Sequence, residues 1–211
     1  GIYERECFYE ICDKLGLLVW QDFMFSCSLY PAEGALLENI KHEAEYQVRR
    51  LRQHPSVVIW CGNNEGEDNY YNMRKNKKKL HTAEQIEYAA KQFRAQYNTI
   101  GEVCATLSPD LPSRVSSPFS GEYFVKPNGT KGDFHYWTVW AGRVGLDGFI
   151  RKRARFFSEY GYQSYPFYET IAKFIPREED RHTMHDAMLW HQKAAKPLVA
   201  DSRLKRYNAQ Y

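Results

Sequence analysis

The chain alternates amphipathic stretches with short, wholly apolar runs that end abruptly in polar residues, and few folds accommodate that rhythm. Phe8, Ile11, Cys12 and Leu15 recur at helical spacing and define one apolar stripe. Gly16 stops this helix, because glycine takes the left-handed C-terminal position without a Cβ clash. Leu17-Leu18-Val19-Trp20 follows at once, apolar without alternation, as expected of a strand buried on both faces of a parallel sheet. Gln21 and Asp22 end it. Leu36, Leu37, Ile40, Ala44, Val48 and Leu51 mark a second helix that stops before Pro55. Val57 to Cys61 is a second buried strand, running into Gly62, Asn63, Asn64 and Glu65. A third helix starts near Thr82, where Gln85 completes a capping box. Its stripe is Ile86, Ala89, Ala90, Phe93, Tyr97 and Ile100.

The second half carries weaker signals. Arg114-Val115-Ser116 is a strand candidate ahead of Ser117-Pro118. Gly121 to Gly132 reads as a long loop, rich in Gly, Pro and Asn. Asp133-Phe134-His135 opens an aromatic segment as a strand, and Arg155 to Ser158 is a further strand ending at Glu159. Asp186 to Lys193 reads as a helix, followed by a polar, basic tail with Arg203, Lys205 and Arg206.

Strand, polar tip, helix, strand is the order of an α/β protein. The expected fold class is a (β/α)8 TIM barrel, whose active face is built at the C-terminal ends of its strands. An open doubly wound sheet is the alternative, but no G-x-G-x-x-G follows any strand. About five strands are legible where a closed barrel needs eight in roughly 250 residues. The expectation is therefore an incomplete barrel with strands missing at both ends, residues 1–211 forming part of the catalytic domain of a larger multidomain protein.

Composition narrows the function classes. Hydrophobic residues make up 43% and charged residues 26%, which is globular and not disordered. A formal net charge of only +3 argues against a nucleic-acid binder driven by bulk charge. No apolar run approaches the roughly 20 residues of a transmembrane helix, so no membrane partner is expected. No charged-then-apolar leader is read at the first residues, and the compartment stays unassigned. Aromatic residues reach 16%, enough to line a cleft as well as a core. The 5 cysteines show no C-x-x-C spacing and read as buried thiols. His182, His185 and His191 lack the H-E-x-x-H pattern of zinc proteases, so neither metal nor cofactor is expected. Arg74 to Lys79 reads as a solvated basic loop or helix entry. Asn128-Gly129-Thr130 is a possible glycan acceptor.

Two glutamates stand out by position. Glu65 lies just past one buried strand and Glu159 does so far downstream. Strand tips remote in sequence converge on one barrel mouth, and glycosidic cleavage needs such a pair: one carboxyl protonates the leaving oxygen while the other attacks the sugar or activates water. On the residues alone, two solvated surface carboxylates remain the competing reading.

The blocks FYEICDKLGLLVWQDFMFSCSLYP and EYQVRRLRQHPSVVIWCGNNE, with GDFHYWTVW and RFFSEYGYQSYP, closely resemble the catalytic barrel of β-mannosidases of glycoside hydrolase family two. The resemblance covers the chain to about Ile171. It implies a retaining hydrolase that removes β-linked mannose from non-reducing ends. It implies as partners a β-mannoside oligosaccharide or glycoprotein-derived glycan, the remaining barrel strands, and accessory jelly-roll and immunoglobulin-like domains. By the same resemblance Glu65, after the fourth barrel strand, is the general acid/base, and Glu159, after the seventh, is the nucleophile. Asn64 meets the sugar 2-hydroxyl, Asp22 binds sugar hydroxyls, and His135 and Trp137 shape the mannose subsite. Trp20 and Trp60, inside strands, read as core. Gly66-Glu67 departs from the Asn-Glu that usually follows the acid/base. A related specificity (endo-β-mannosidase, β-glucosaminidase or β-galactosidase) and a non-catalytic carbohydrate-binding remnant stand as alternatives.

Overall fold

The computed structural model describes residues 1–67, 70, 81–141, 144–193 and 197–209. The basic run Arg74 to Lys79 lies outside the described residues. Two compact units emerge: Gly1–Phe134 with Ala154–Ser158, and His135–Arg153 with Glu159–Tyr211.

The first unit follows the β/α order. Helix α1 (Glu6–Leu15) ends at Gly16, which adopts φ 70° and returns its N–H to Asp13. Strand β1 (Val19–Asp22) leads through a loop to α2 (Gly34–Leu51), then to β2 (Val57–Cys61), α3 (Ala83–Leu107) and β3 (Ser113–Arg114). The three strands form one sheet in the order β1-β2-β3, and both pairings are parallel. Gln21 faces Trp60 and Asp22 faces Cys61 in register. Thr82 caps α3 in the reciprocal box with Gln85 expected from its sequence.

The core of this unit lies between helices and sheet. Ile40, Ala44, Val48 and Leu51 of α2 and Ile100, Val103 and Cys104 of α3 pack with Val57, Trp60, Phe23 and Tyr9. Each fully buried aliphatic or aromatic side chain here contributes about 1.5–3 kcal/mol. Trp60 is wholly buried, as expected, and donates its indole N–H to Ser108 Oγ at 3.1 Å.

Several expectations need correction. On α1 the buried residues are Tyr9 and Cys12, while Phe8, Ile11 and Leu15 are exposed. Tyr9 is drawn inward by polar contacts: its hydroxyl donates to Gln21 Oε1 at 2.6 Å, and its ring lies 5.3 Å from that of His54. The strand expected at Leu17 to Trp20 is displaced to Val19–Asp22, with Leu18 76% exposed. Gln21 is buried instead, because its amide nitrogen donates to the carbonyls of Ile2 and Asp22. Trp20 is only half-buried and stacks on Phe156 at 6.1 Å, with 3° between the rings. Cys12, Cys61 and Cys104 are buried thiols, whereas Cys7 and Cys27 are exposed.

An ionic cluster fixes α1 to the turn before β2. His54 Nδ1 lies 2.6 Å from Asp13 and its Nε2 2.7 Å from Glu6, which also receives Arg50 at 3.0 Å. The backbone N–H of Ser56 donates to Asp13 at 2.9 Å.

The loop from Gly121 to Gly132 leads into β4 (Phe134–Tyr136), which pairs with β5 (Phe157–Tyr160) in a two-stranded sheet. Both strands start later than the sequence suggested, at Phe134 and Phe157, so Glu159 lies inside β5 rather than beyond it. Among the described residues the strands form two separate sheets and no closed barrel.

The second unit contains α4 (Gly148–Arg151), α5 (Tyr168–Phe174), a 3-10 turn (Glu178–Asp180), α6 (Asp186–His191) and α7 (Pro197–Asn208). Ile171, Ile175 and Met188 form a small core. The expected polar tail is therefore a helix, anchored by buried Tyr207, whose hydroxyl donates to the carbonyls of Val139 and Val144. His185 accepts from the N–H of Ala187 and meets Asp180 at 3.2 Å. No helix among the described residues is long and apolar enough to cross a membrane.

Candidate active site

The tip of β2 is shaped by its two asparagines. Asn63 is fully buried, and its Oδ1 accepts the N–H of Gly66 at 2.7 Å. A Cβ at position 66 would fall 2.5 Å from that oxygen, so a larger residue there needs the Asn63 side chain to shift. Gly66 is what lets Asn63 pack this closely against the turn. Asn64 is clamped on both sides: its N–H donates to the Phe25 carbonyl at 2.8 Å, and its own carbonyl accepts from Cys27 at 2.7 Å. Bridges Ser26↔Asn64 and Asn64↔Ser117 continue the sheet order beyond the regular strands.

Glu65 follows with φ 55°, and Cys27 stands beside it with φ 50°. Left-handed backbone costs a non-glycine residue about 1–2 kcal/mol, and such strain gathers at functional sites. The N–H of Glu65 donates to the Ser117 carbonyl at 2.8 Å. The Cys27 thiol lies 3.7 Å from Glu65 Oε2 and 3.9 Å from Asn64 Nδ2. Cys27 carried no signal of its own in the sequence beyond its place in the S-C-S-L-Y-P block. Asp22, at the end of β1, accepts the Trp20 indole N–H at 2.7 Å. Burial, reinforced by the charge of Asp22 beside it, pushes the Cys61 thiol far up, which keeps it protonated and inert.

In the second unit β4 and β5 supply the other candidates. Trp137, 39% exposed, donates its indole N–H to Glu159 Oε2 at 2.9 Å. The buried His135 side chain places Nδ1 3.3 Å from the same oxygen. The six expected residues thus fall into two groups. Asp22, Asn64 and Glu65 sit on the tips of β1 and β2, and His135 and Trp137 gather on Glu159.

Sequence reasoning missed Asp133. It is 2% exposed, and its carboxylate accepts from Ser117 Oγ at 2.6 Å, Ser158 Oγ at 2.7 Å, Phe119 N–H at 2.9 Å and Arg114 Nη2 at 3.0 Å. A buried carboxylate is tolerated only with such a set of donors. Its signal was its place at the head of the G-D-F-H-Y-W block, next to a glycine.

Comparison with known proteins places this arrangement. Residues 3–117 match the family model described as glycosyl hydrolases family 2, TIM barrel domain. Beta-mannosidase B of Thermothelomyces thermophilus is 42% identical over 202 residues, covering 92% of this chain and 23% of that protein. Beta-mannosidase B of Neosartorya fischeri is 38% identical, with the same coverage of 92% and 23%. The crystal structure of beta-D-mannosidase from Dictyoglomus thermophilum aligns with a TM-score of 0.79 at 38% identity, over 99% of this chain and 24% of that one. The chain spans about a quarter of the length of the relatives it matches. With its parallel β/α order and more than half its residues under that family model, the chain belongs to glycosyl hydrolase family 2 and to its TIM barrel domain.

Proposed function

We propose that the protein is a retaining glycoside hydrolase that releases terminal β-D-mannose from the non-reducing ends of β-mannosides. The observation that carries this reading is the grip on Glu159: both ring nitrogens that reach it, Trp137 Nε1 and His135 Nδ1, meet the single oxygen Oε2. Two ring contacts on one oxygen restrain the carboxylate and favour attack by the other, Oε1. The beta-mannosidase names of the relatives support mannose as the sugar. Missing accessory domains and barrel strands would come from a longer chain, as the length of those relatives suggests.

The reaction runs in two displacements. Glu159, ionised, attacks the anomeric carbon. Glu65, protonated, gives its proton to the leaving glycosidic oxygen as that bond breaks. A mannosyl ester forms on Glu159. Glu65, now ionised, takes a proton from water, which attacks the anomeric carbon from the vacated face and frees Glu159. Two inversions restore the β configuration. In this scheme Glu65 enters as the proton donor, and esterification of Glu159 removes its charge and lets Glu65 act next as a base. General acid–base help of this kind supplies about 10²–10⁴ in rate. Asn64 and Asp22 are assigned to sugar hydroxyls, and His135 and Trp137 to the wall of the mannose subsite.

The test is leaving-group dependence in the full-length protein. Glu65→Gln should cost little in kcat/KM with a 2,4-dinitrophenyl β-mannoside, whose leaving group needs no proton, and about 10²–10⁴ in kcat/KM with an alkyl or sugar leaving group, while kcat falls on both because the second displacement loses its base. Equal kcat/KM losses on both would remove Glu65 from the acid role. A panel of aryl β-mannoside, β-glucosaminide and β-galactoside fixes the sugar: the highest kcat/KM on a sugar other than mannose would overturn the specificity, and no turnover of any would favour a binding remnant.

A further inference from the structure

We propose that Asp133 is a positioning residue for both carboxylates of this reaction, acting through their backbones; the proposal rests on the roles given to Glu65 and Glu159 above. Asp133 Oδ2 accepts the hydroxyls of Ser117 and Ser158, at 2.6 and 2.7 Å, and these two hydroxyls lie 3.4 Å apart. Each serine belongs to one half of the chemistry.

Ser117 is strapped to the tip of β2. Its N–H donates to the Asn63 carbonyl at 2.9 Å, and its carbonyl accepts the Glu65 N–H at 2.8 Å. The second of these bonds ends on the residue held at φ 55°, a backbone state that persists only where its surroundings impose it. Ser158 is the residue before Glu159 in β5, so fixing its hydroxyl fixes the strand at the point where Glu159 projects. The same strand is tied a step earlier, where the Phe134 N–H donates to the Phe156 carbonyl at 2.9 Å. One buried carboxylate therefore joins the two segments that carry Glu65 and Glu159.

The anchor is itself held rigidly. Oδ1 of Asp133 accepts from the Phe119 N–H and from Arg114, and the same Arg114 nitrogen donates to the Phe119 carbonyl at 2.5 Å. Arg114 ends β3, so the network is rooted in the parallel sheet. Near-complete burial shields these bonds from competing water, which strengthens charge-assisted contacts. A displacement of about 1 Å at a reacting group costs on the order of 10²-fold in rate, so such a network bears directly on turnover.

Single-hydroxyl variants in the full-length protein test this. Ser158→Ala should lower kcat about tenfold or more, with KM within about twofold, and to the same extent on dinitrophenyl and alkyl β-mannosides, since nucleophile placement serves both. Ser117→Ala should lower kcat/KM mainly on the alkyl substrate, since it loosens the segment of the acid. Asp133→Asn, whose amide nitrogen cannot accept, should combine both losses; if it fails to fold, the two serine variants carry the test. A merely structural role would lower the melting temperature and leave kcat per folded molecule unchanged. Turnover within twofold of wild type in both serine variants overturns the proposal, as does an identical leaving-group dependence for both. Glu65→Gln and Glu159→Ala run in parallel keep the two levels apart: if they lose activity and the serine variants do not, only the Asp133 proposal falls. If they stay active, the catalytic reading falls and takes the proposal with it.

Discussion

The indole N–H of Trp137 points at Oε2 of Glu159, 2.9 Å away. The ring is thus a hydrogen-bond donor to the proposed nucleophile as well as the proposed wall of the sugar subsite. Trp137→Phe keeps the wall and removes the donor. Steady-state kinetics of the full-length variant should show kcat/KM about tenfold lower, with no dependence on the leaving group, because only the orientation of the attacking carboxylate is relaxed. Trp137→Ala should lose more. Wild-type kinetics in Trp137→Phe would mean that the hydrogen bond does not orient Glu159.

The cluster of Glu6, Asp13 and His54 predicts a stability optimum in mildly acidic solution. Burial pulls the His54 pKa down, but its hydrogen bonds to Asp13 and Glu6 outweigh that and hold it above the ordinary 6.5. Burial likewise opposes ionisation of Asp13, but hydrogen bonds from Ser56 and His54 hold it below 3.8; hydrogen bonds from His54 and then Arg50 hold Glu6 below 4.5. A raised histidine pKa contributes stability in full below the unfolded value and loses it as pH rises through the folded value. Lowered carboxylate pKa values contribute above their unfolded values and lose it as pH falls. The melting-temperature difference between wild type and His54→Gln should therefore be greatest between pH 4.5 and 6.5 and shrink on either side. A difference that grows steadily above pH 6.5 would contradict the assignment.

Gly132 immediately precedes Asp133 and adopts φ 63°, and a Cβ there would fall 1.9 Å from the Phe119 carbonyl oxygen. The backbone itself blocks any side chain. Gly132→Ala should destabilise the protein by roughly 3 kcal/mol, combining left-handed strain with a clash that only loop movement relieves. That movement also separates Phe119 from Asp133, so residual activity should fall along with the melting temperature. An alanine variant that melts and turns over like wild type would refute the steric account.

How far the sequence reveals this molecule depends on what drives each element inward. Helices α2 and α3 and strand β2 are largely legible because burial there follows apolar periodicity: Ile40, Ala44, Val48 and Leu51 reach the core, although Leu36 at the start of the same stripe is exposed, and the Thr82–Gln85 box forms. Helix α1 and strand β1 are misread in detail because polar pairing decides them. Tyr9 and Gln21 are buried together by one hydrogen bond, while Leu17 and Leu18 face outward, an outcome that hydropathy cannot anticipate. The carboxylates at 65 and 159 draw notice as expected strand-end residues, although Glu159 lies inside β5, and their proposed roles rest on long ordered motifs. Asp133 was invisible because every side chain that satisfies it lies far along the chain, 16 residues away at Ser117, 19 at Arg114 and 25 at Ser158.

The central claim is that Glu159 forms the covalent bond to the sugar. Inactivation of the full-length protein with 2-deoxy-2-fluoro-β-mannosyl fluoride, followed by proteolysis and mass spectrometry, reads this bond directly. One fluoromannosyl unit per molecule, on the peptide containing Glu159 and absent from Glu159→Ala, is the predicted result. A label on any other residue, or time-dependent inactivation that persists in Glu159→Ala, would contradict it.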